Sequence, residues 1–240
     1  MQSIAVRTPV FRVGQDLLEF LTEGLRSFEP REGDVIAITS KIVSLAEGRI
    51  VAKSEVPEKV ELIKREADVY LGKGAYECHL TVKHNILIPS AGIDESNSKD
   101  DAYILFPLDP FKSAKEIHSG LTKNFGLKNL GVIVTDSHTT PLRRGVTGIA
   151  LSHFGFKGVK SLIGQNDIYG RPLQFTYVNH ADALAVMAVY EMGEANEQVP
   201  VAILRGRSDL VFSTEDTLND CRIPLEDDLY LPILQKVKPS

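Results

Sequence analysis

Gly131-Val132-Ile133-Val134-Thr135-Asp136-Ser137-His138, running on into Thr139-Thr140-Pro141-Leu142-Arg143-Arg144-Gly145, is the stretch on which the reading of this chain turns. Val132, Ile133 and Val134 are consecutive β-branched apolar residues, which predicts a short buried strand. The run ends on a carboxylate, a hydroxyl and an imidazole, with two arginines a few residues on. Loops at strand ends carry polar groups without breaking a sheet, so an acid and a hydroxyl beside cationic side chains suit a metal-bound phosphate. The same residues also suit a surface turn in which Asp136 and Ser137 satisfy local backbone donors. The segment alone leaves both readings open.

Outward from that strand, apolar periodicity alternates between strand and helix. Upstream, Ser113 caps a predicted helix carrying Ala114, Ile117, Leu121 and Phe125, with Glu116 completing a capping box and Asn124 and Gly126 as stop signals. Phe106-Pro107-Leu108-Asp109-Pro110 before it reads as an extended connection. Leu80-Thr81-Val82 and Asn85 to Ile88 predict two strands around a Lys83-His84 turn, and spacing from Pro57 to Tyr70 predicts a helix ended by Gly72 and Gly74. Near the start, Ile4 to Val6 and Val35 to Ile38 read as strands. Between them lies a helix with Leu17, Leu18, Phe20, Leu21 and Leu25 on one face and Asp16 as its cap. Downstream, Val146 to Phe156 reads as a buried segment in which His153 is a core or interface histidine. A glycine-bounded loop from Gly164 to Arg171 leads to a predicted strand over Leu173 to Val178. Asp182 opens a helix ended by Gly193, and Val199 to Leu204 is a last strand. The pattern predicts an α/β (α+β) fold with mixed sheets and surface helices. It is read as one domain over residues 1–240, with room for a smaller lobe at about 137–200.

Composition narrows the function. The 240 residues are 43% hydrophobic and 25% charged, which is ordinary globular composition. A formal net charge of −5 and a pI near 5.7 give no global basic field, so nucleic acid is not the expected partner. Cys78 and Cys221 form no Cys-x-x-Cys spacing and support neither a disulfide framework nor a thiolate zinc site. No apolar run approaches membrane-spanning length, and the start of the chain lacks a signal-type apolar core. The expectation is a soluble, cytoplasmic protein without a membrane partner.

Further polar groups recur where predicted apolar elements end. Thr39-Ser40-Lys41 closes the second strand, and its hydroxyls and lysine could neutralise phosphate oxygens; the Walker spacing is absent, and a solvated helix start fits equally. Ala91-Gly92-Ile93-Asp94-Glu95-Ser96-Asn97 places two acids and an amide within four positions, which suits a hard cation or an acidic turn. Glu194 follows Met192-Gly193. Arg49, Arg143, Arg144, Arg171 and Arg205 lie between these groups. Separated carboxylates, a hydroxyl and several cations are what magnesium-dependent phosphoryl transfer requires. No Gly-x-Ser-x-Gly or His-Glu-x-x-His motif competes.

Taken as a set, Thr39-Ser40-Lys41-Ile42-Val43-Ser44 with Ala46-Glu47-Gly48-Arg49, Ala91-Gly92-Ile93-Asp94 with Ser96-Asn97, Leu108-Asp109-Pro110 with Ser113-Ala114, Thr135-Asp136-Ser137, Arg143-Arg144-Gly145, Asp167 with Gly170-Arg171-Pro172-Leu173, and Val199-Pro200 with Arg205-Gly206 resemble the coenzyme F-420 γ-glutamyl ligase family. Order and spacing agree from about residue 4 to 207. The resemblance implies a ligase that uses GTP, or ATP, to activate a carboxylate and joins it to the amine of L-glutamate. It implies two Mg2+ or Mn2+ ions held by Asp94, Asp136, Ser137 and Glu194, and nucleotide contacts from Ser40, Lys41, Asn97 and the segment Met192, Gly193, Ala195, Asn196 and Glu197. It further implies an intertwined homodimer. Arg143, Arg144 and Arg171 become candidate catalytic residues, since a planar bidentate donor suits phosphates and carboxylates.

The chain departs from this family at three places. Leu45 stands where relatives commonly carry a nucleotide-contacting lysine. His138-Thr139-Thr140 stands where a Gly-Arg pair is common, and the early segment reads Arg7-Thr8-Pro9. Metal positions are kept while groups around nucleotide and acceptor differ. The expectation is the same bond-forming chemistry, with a folate-type acceptor as the alternative to deazaflavin and a non-catalytic metal-nucleotide-binding dimer as a further one.

Overall fold

The computed structural model describes residues 1–96 and 101–235. In chain order the strands are β1 (Gln2–Val6), β2 (Val35–Thr39), β3 (Ile50–Ala52), β4 (Val69–Lys73), β5 (His79–Lys83), β6 (Ile86–Pro89), β7 (Ala102–Ile104), β8 (Gly131–Thr139), β9 (Val146–Phe154), β10 (Val159–Ser161), β11 (Tyr177–Asn179) and β12 (Val201–Arg205). The helices are α1 (Leu17–Arg26), α2 (Ser40–Ala46), α3 (Lys59–Glu66), α4 (Pro110–Phe125), α5 (His180–Met192) and a last turn, α6 (Leu231–Leu234).

Five strands form the central sheet, in the order β1-β12-β2-β8-β9. β2 and β8 pair in parallel, and all other neighbours are antiparallel. Alternation explains why the central strands read as unbroken apolar runs. Ile36, Ile38, Val132, Val134, Val201 and Ile203 face Phe20, Leu21, Leu25, Ile117 and Leu121 of α1 and α4. Val35, Ala37, Ile133, Ala202 and Leu204 face Leu184, Ala185, Ala188 and Met192 of α5 on the other side. Both faces are buried, so neither half of the alternation can be polar. The mixed α/β architecture expected from the sequence is the one observed.

β8 and β9 make a long ribbon with one irregularity. Val134 lies opposite Ser152 and Thr135 opposite Ala150, so Leu151 is an extra residue on β9. Such a bulge re-aims the side chains beyond it. Leu151 packs with Ile88 and Phe106, joining the ribbon to the small sheet β4-β5-β6.

The structure corrects four local expectations. The helix expected over Pro57 to Tyr70 is only α3, with Leu62 and Ile63 buried. Val69-Tyr70-Leu71 forms β4 because it pairs with β5, and Gly72 sits within that strand at a register shift. Helix α4 starts at Pro110 with Asp109 as its cap, accepting from Lys112 N–H at 3.0 Å. Ser113 lies inside the helix, where its hydroxyl donates to Glu47 at 2.6 Å. Proline at the first helical position loses no hydrogen bond, which favours the earlier start. The strand expected over Leu173 to Val178 reduces to β11, because Leu173 bonds back across its loop to Gln165. β8 also does not end before Asp136 but continues to Thr139, held by β9.

Candidate active site

β2 and β8 run in parallel and deliver their carboxyl ends to one place, where open α/β sheets commonly bind ligands. β2 ends at Thr39, opposite Thr135, and turns directly into α2. Residues 136–139 of β8 therefore have a strand neighbour only on the β9 side. A cleft of about 800 Å3 opens there, walled by residues 8–11, the start of α2, the turn at 88–96, the tail of β8 and residues 192–200.

Two short links organise its floor. Ser40, buried at the start of α2, donates its hydroxyl to Asp136 Oδ2, and Asp136 Oδ1 accepts the Ser137 N–H at 2.7 Å. Lys41 Nζ lies 2.7 Å from Asp94 Oδ2 and donates to Ser96 Oγ at 3.0 Å and to the Ser96 carbonyl at 3.2 Å. Asp94 reaches this position from a strained turn in which Ser90, Ala91 and Gly92 all have positive φ, 53°, 55° and 70°. A Cβ at Gly92 would lie 2.1 Å from Phe106 Cζ, so only glycine fits. The buried Thr81 hydroxyl holds the turn by accepting the Ala91 N–H at 2.8 Å and donating to the Ile88 carbonyl at 2.5 Å. Strain of this kind persists only where its surroundings over-determine it.

The carboxyl groups are electrostatically coupled. Burial pushes the Asp136 carboxyl up to about 6, against the Ser40 and Ser137 hydrogen bonds, and the charge on Asp94 pushes the same way. Burial also raises Glu194; the Ser137 hydroxyl opposes this by donating to it, and Glu197 adds to it. At Asp94 burial acts upward, but Lys41 and Ser96 outweigh it and the carboxyl is held below its ordinary value. Asp94, Asp136, Ser137 and Glu194 all line this one cleft. Their donors are all oxygen, the chemistry preferred by Mg2+ and Mn2+. Asp136 forms no salt bridge among the described residues, so a divalent cation would supply a missing countercharge. Among the described residues, no three His, Cys, Asp or Glu side chains are clustered closely enough to ligate one ion as they stand.

The remaining candidates divide. Met192, Gly193, Ala195, Asn196 and Glu197 line the cleft with Ser40 and Lys41. Glu197 folds back against Gly193 and accepts the Ala195 N–H at 2.8 Å. Asn97 lies outside the described residues. Arg143 and Arg144 stand exposed in the turn between β8 and β9, away from the cleft of their own chain. Arg171 also lies away from it, bonded through Nε and Nη2 to Asp167 at 2.8 Å and resting on the Tyr169 ring. Arg49 and Arg205 are scaffold, held by Glu66 and Asp34 respectively. Val10 and Phe11 form a wall that no motif marks, directly after the altered segment Arg7-Thr8-Pro9. Leu45 both lines the cleft and packs against the main core.

Comparison with known proteins finds relatives over most of the chain. The sequence model of the F420-0:Gamma-glutamyl ligase family matches residues 5–206. The chain is 36% identical to the coenzyme F420:L-glutamate ligase of Methanopyrus kandleri, over 81% of this chain and 82% of that protein. It is 32% identical to the protein of the same name from Methanocaldococcus jannaschii, over 86% and 88%, and 33% identical to that from Archaeoglobus fulgidus, over 82% and 84%.

Proposed function

The chain belongs to the F420-0:gamma-glutamyl ligase family, and on that premise we propose that it is a nucleotide- and divalent-metal-dependent ligase that joins L-glutamate to a carboxylate of coenzyme F420. The observation that carries the reading is Asp136, an acid partly buried in the same cleft as Asp94 and Glu194, with hydrogen bonds but no salt bridge among the described residues, at the carboxyl ends of two parallel strands. Asp94, Asp136, Ser137 and Glu194 would hold the Mg2+ or Mn2+ ions. Bound there, the metal supplies charge neutralisation at the phosphate oxygens.

This chain's own residues supply position. Ser40 and Lys41, at the start of α2, would meet the phosphates of GTP or ATP, Lys41 by exchanging its present partners Asp94 and Ser96 for a phosphate oxygen. The acceptor carboxylate oxygen attacks the terminal phosphorus and the nucleoside diphosphate leaves, giving an acyl phosphate. The glutamate amine then attacks the acyl carbon, phosphate leaves, and the amine gives up a proton as the amide forms. The cleft walls at 8–11 and 192–200 would flank that acyl phosphate.

The reading includes a homodimer. Leu142, Ile168, Tyr169 and Phe175 are fully or largely exposed on the same segments that carry Arg143, Arg144 and Arg171. Burial of these apolar side chains against a second copy would remove them from water and bring the arginines to an interface.

Incubation with Mg2+ or Mn2+, GTP or ATP, L-glutamate and either F420 or a folate, followed by mass spectrometry, tests the proposal. Nucleoside diphosphate and a glutamylated F420 are expected. Product only with folate would move the acceptor, and no product with either would overturn the substrate assignment.

A further inference from the structure

His138 is a cleft residue whose ring meets the opposite strand. It lies across from Thr147 in the β8–β9 register, and its Nδ1 is 3.2 Å from the Thr147 carbonyl oxygen. A carbonyl only accepts, so Nδ1 carries the hydrogen of this contact and the lone pair of the neutral ring is on Nε2. The imidazole is half-buried and lines the cleft, presenting an acceptor of fixed tautomer.

Its place along the strand matters more. The register is regular from Thr135 to Thr139, beyond the bulge at Leu151, so Asp136 and His138 project on the same face, about 7 Å apart. On that stretch β8 has no neighbour on the β2 side, so the strand edge beside both side chains faces the cleft. Ser40 and Lys41 meet the cleft at the Asp136 end, and His138 lies farther along β8. In an acyl phosphate, the phosphoryl group, the acyl carbon and the attacking nitrogen follow in sequence, with reacting atoms about 3–3.5 Å apart at attack. With the phosphoryl group near Asp136, His138 falls at the nitrogen end of that sequence.

We propose that His138 contacts the amine of the incoming amino acid, accepting a hydrogen bond from it at Nε2 and so directing the nitrogen lone pair at the acyl carbon. The proposal rests on the ligase reading and deepens it. It assigns His138 to the second half-reaction alone: the carboxylate can be phosphorylated without it, while amide formation depends on it.

Hydroxylamine separates the halves, since this small nucleophile traps an acyl phosphate as a hydroxamate without needing the amino-acid subsite. With F420, Mg2+ and GTP, the wild-type protein is expected to form hydroxamate in place of the glutamyl product; if it forms neither, the ligase reading fails, whatever His138 does. His138→Phe is expected to keep hydroxamate formation and the nucleotide KM within about twofold while kcat/KM for glutamate falls about ten- to a hundredfold. His138→Gln, which restores an acceptor, should recover part of that loss. Unchanged kcat/KM for glutamate in His138→Phe would overturn the proposal. So would equal loss of hydroxamate and glutamyl product in a variant whose melting temperature matches wild type.

Discussion

The two ends of the β2–β8 pair each carry a buried or partly buried acid, and the protein treats them oppositely. Before β2, Asp34 is almost inaccessible and fully compensated: Arg205 donates from Nε at 2.9 Å and Nη2 at 2.8 Å, and the Arg31 N–H adds 2.8 Å. Beyond β2, Asp136 has a serine hydroxyl, one N–H and, among the described residues, no cation bonded to it. This fold can therefore supply an arginine where a buried charge is part of the scaffold. Its omission at Asp136 leaves a carboxyl whose ionised form is disfavoured, a condition that a divalent ligand would relieve.

The largest expected effect belongs to the uncompensated end. Asp136→Ala should lower ligase turnover by more than about a thousandfold while the circular dichroism spectrum stays near wild type; retained turnover would remove Asp136 from the site. At the compensated end the outcome inverts. Arg205→Ala strands the Asp34 charge and should cost about 3–5 kcal/mol of stability in a denaturant titration, with kcat little changed in the folded fraction. A loss below about 1 kcal/mol would show the two ends to be alike.

A subtler test uses pH. The folded-state pKa of Asp136 lies above the ordinary carboxylate value, at about 6. Folded protein therefore binds more protons than unfolded between about pH 4 and 6, and stability from this residue falls as pH rises through that window. Without added divalent cation, Asp136→Asn should gain about 1–3 kcal/mol over wild type at pH 7 and nothing near pH 3.5. A gain that is constant with pH would point to packing rather than charge. The smallest effect is expected at Arg171, whose pair with Asp167 is largely exposed: Arg171→Ala should change stability by less than about 1 kcal/mol.

Much of the scaffold was legible because its signals are local. Asp16 caps α1 as expected, accepting from Glu19 N–H at 2.7 Å, and Gly126 and Gly193 close α4 and α5. His153 is a satisfied buried histidine, 3.3 Å from Asp220. The misreadings arose where tertiary pairing overrode spacing, as when β5 drew Val69-Tyr70-Leu71 out of a helix pattern. The site divides in the same way. Its residue types and order were visible through the family resemblance, yet Ser40 meets Asp136 across 96 residues, and only the parallel register of β2 and β8 brings them together. No local pattern distinguished the arginines that hold the scaffold, Arg49 and Arg205, from those left exposed.

The extra residue at Leu151 bears on how this ribbon can be re-engineered. It leaves Ala150 opposite Thr135 while Leu151 packs on Ile88 and Phe106, so deleting it would keep residues 146–150 in register with 139–135 but remove the side chain that joins the ribbon to the small sheet. Identity is guarded at Gly148, where a Cβ would lie 2.4 Å from the Ala185 carbonyl oxygen, whereas the exposed turn at 140–145 suits insertions. A library seeking new acceptors should spare Asp136, Ser137 and Gly148 and reserve insertions for the turn that joins the two strands.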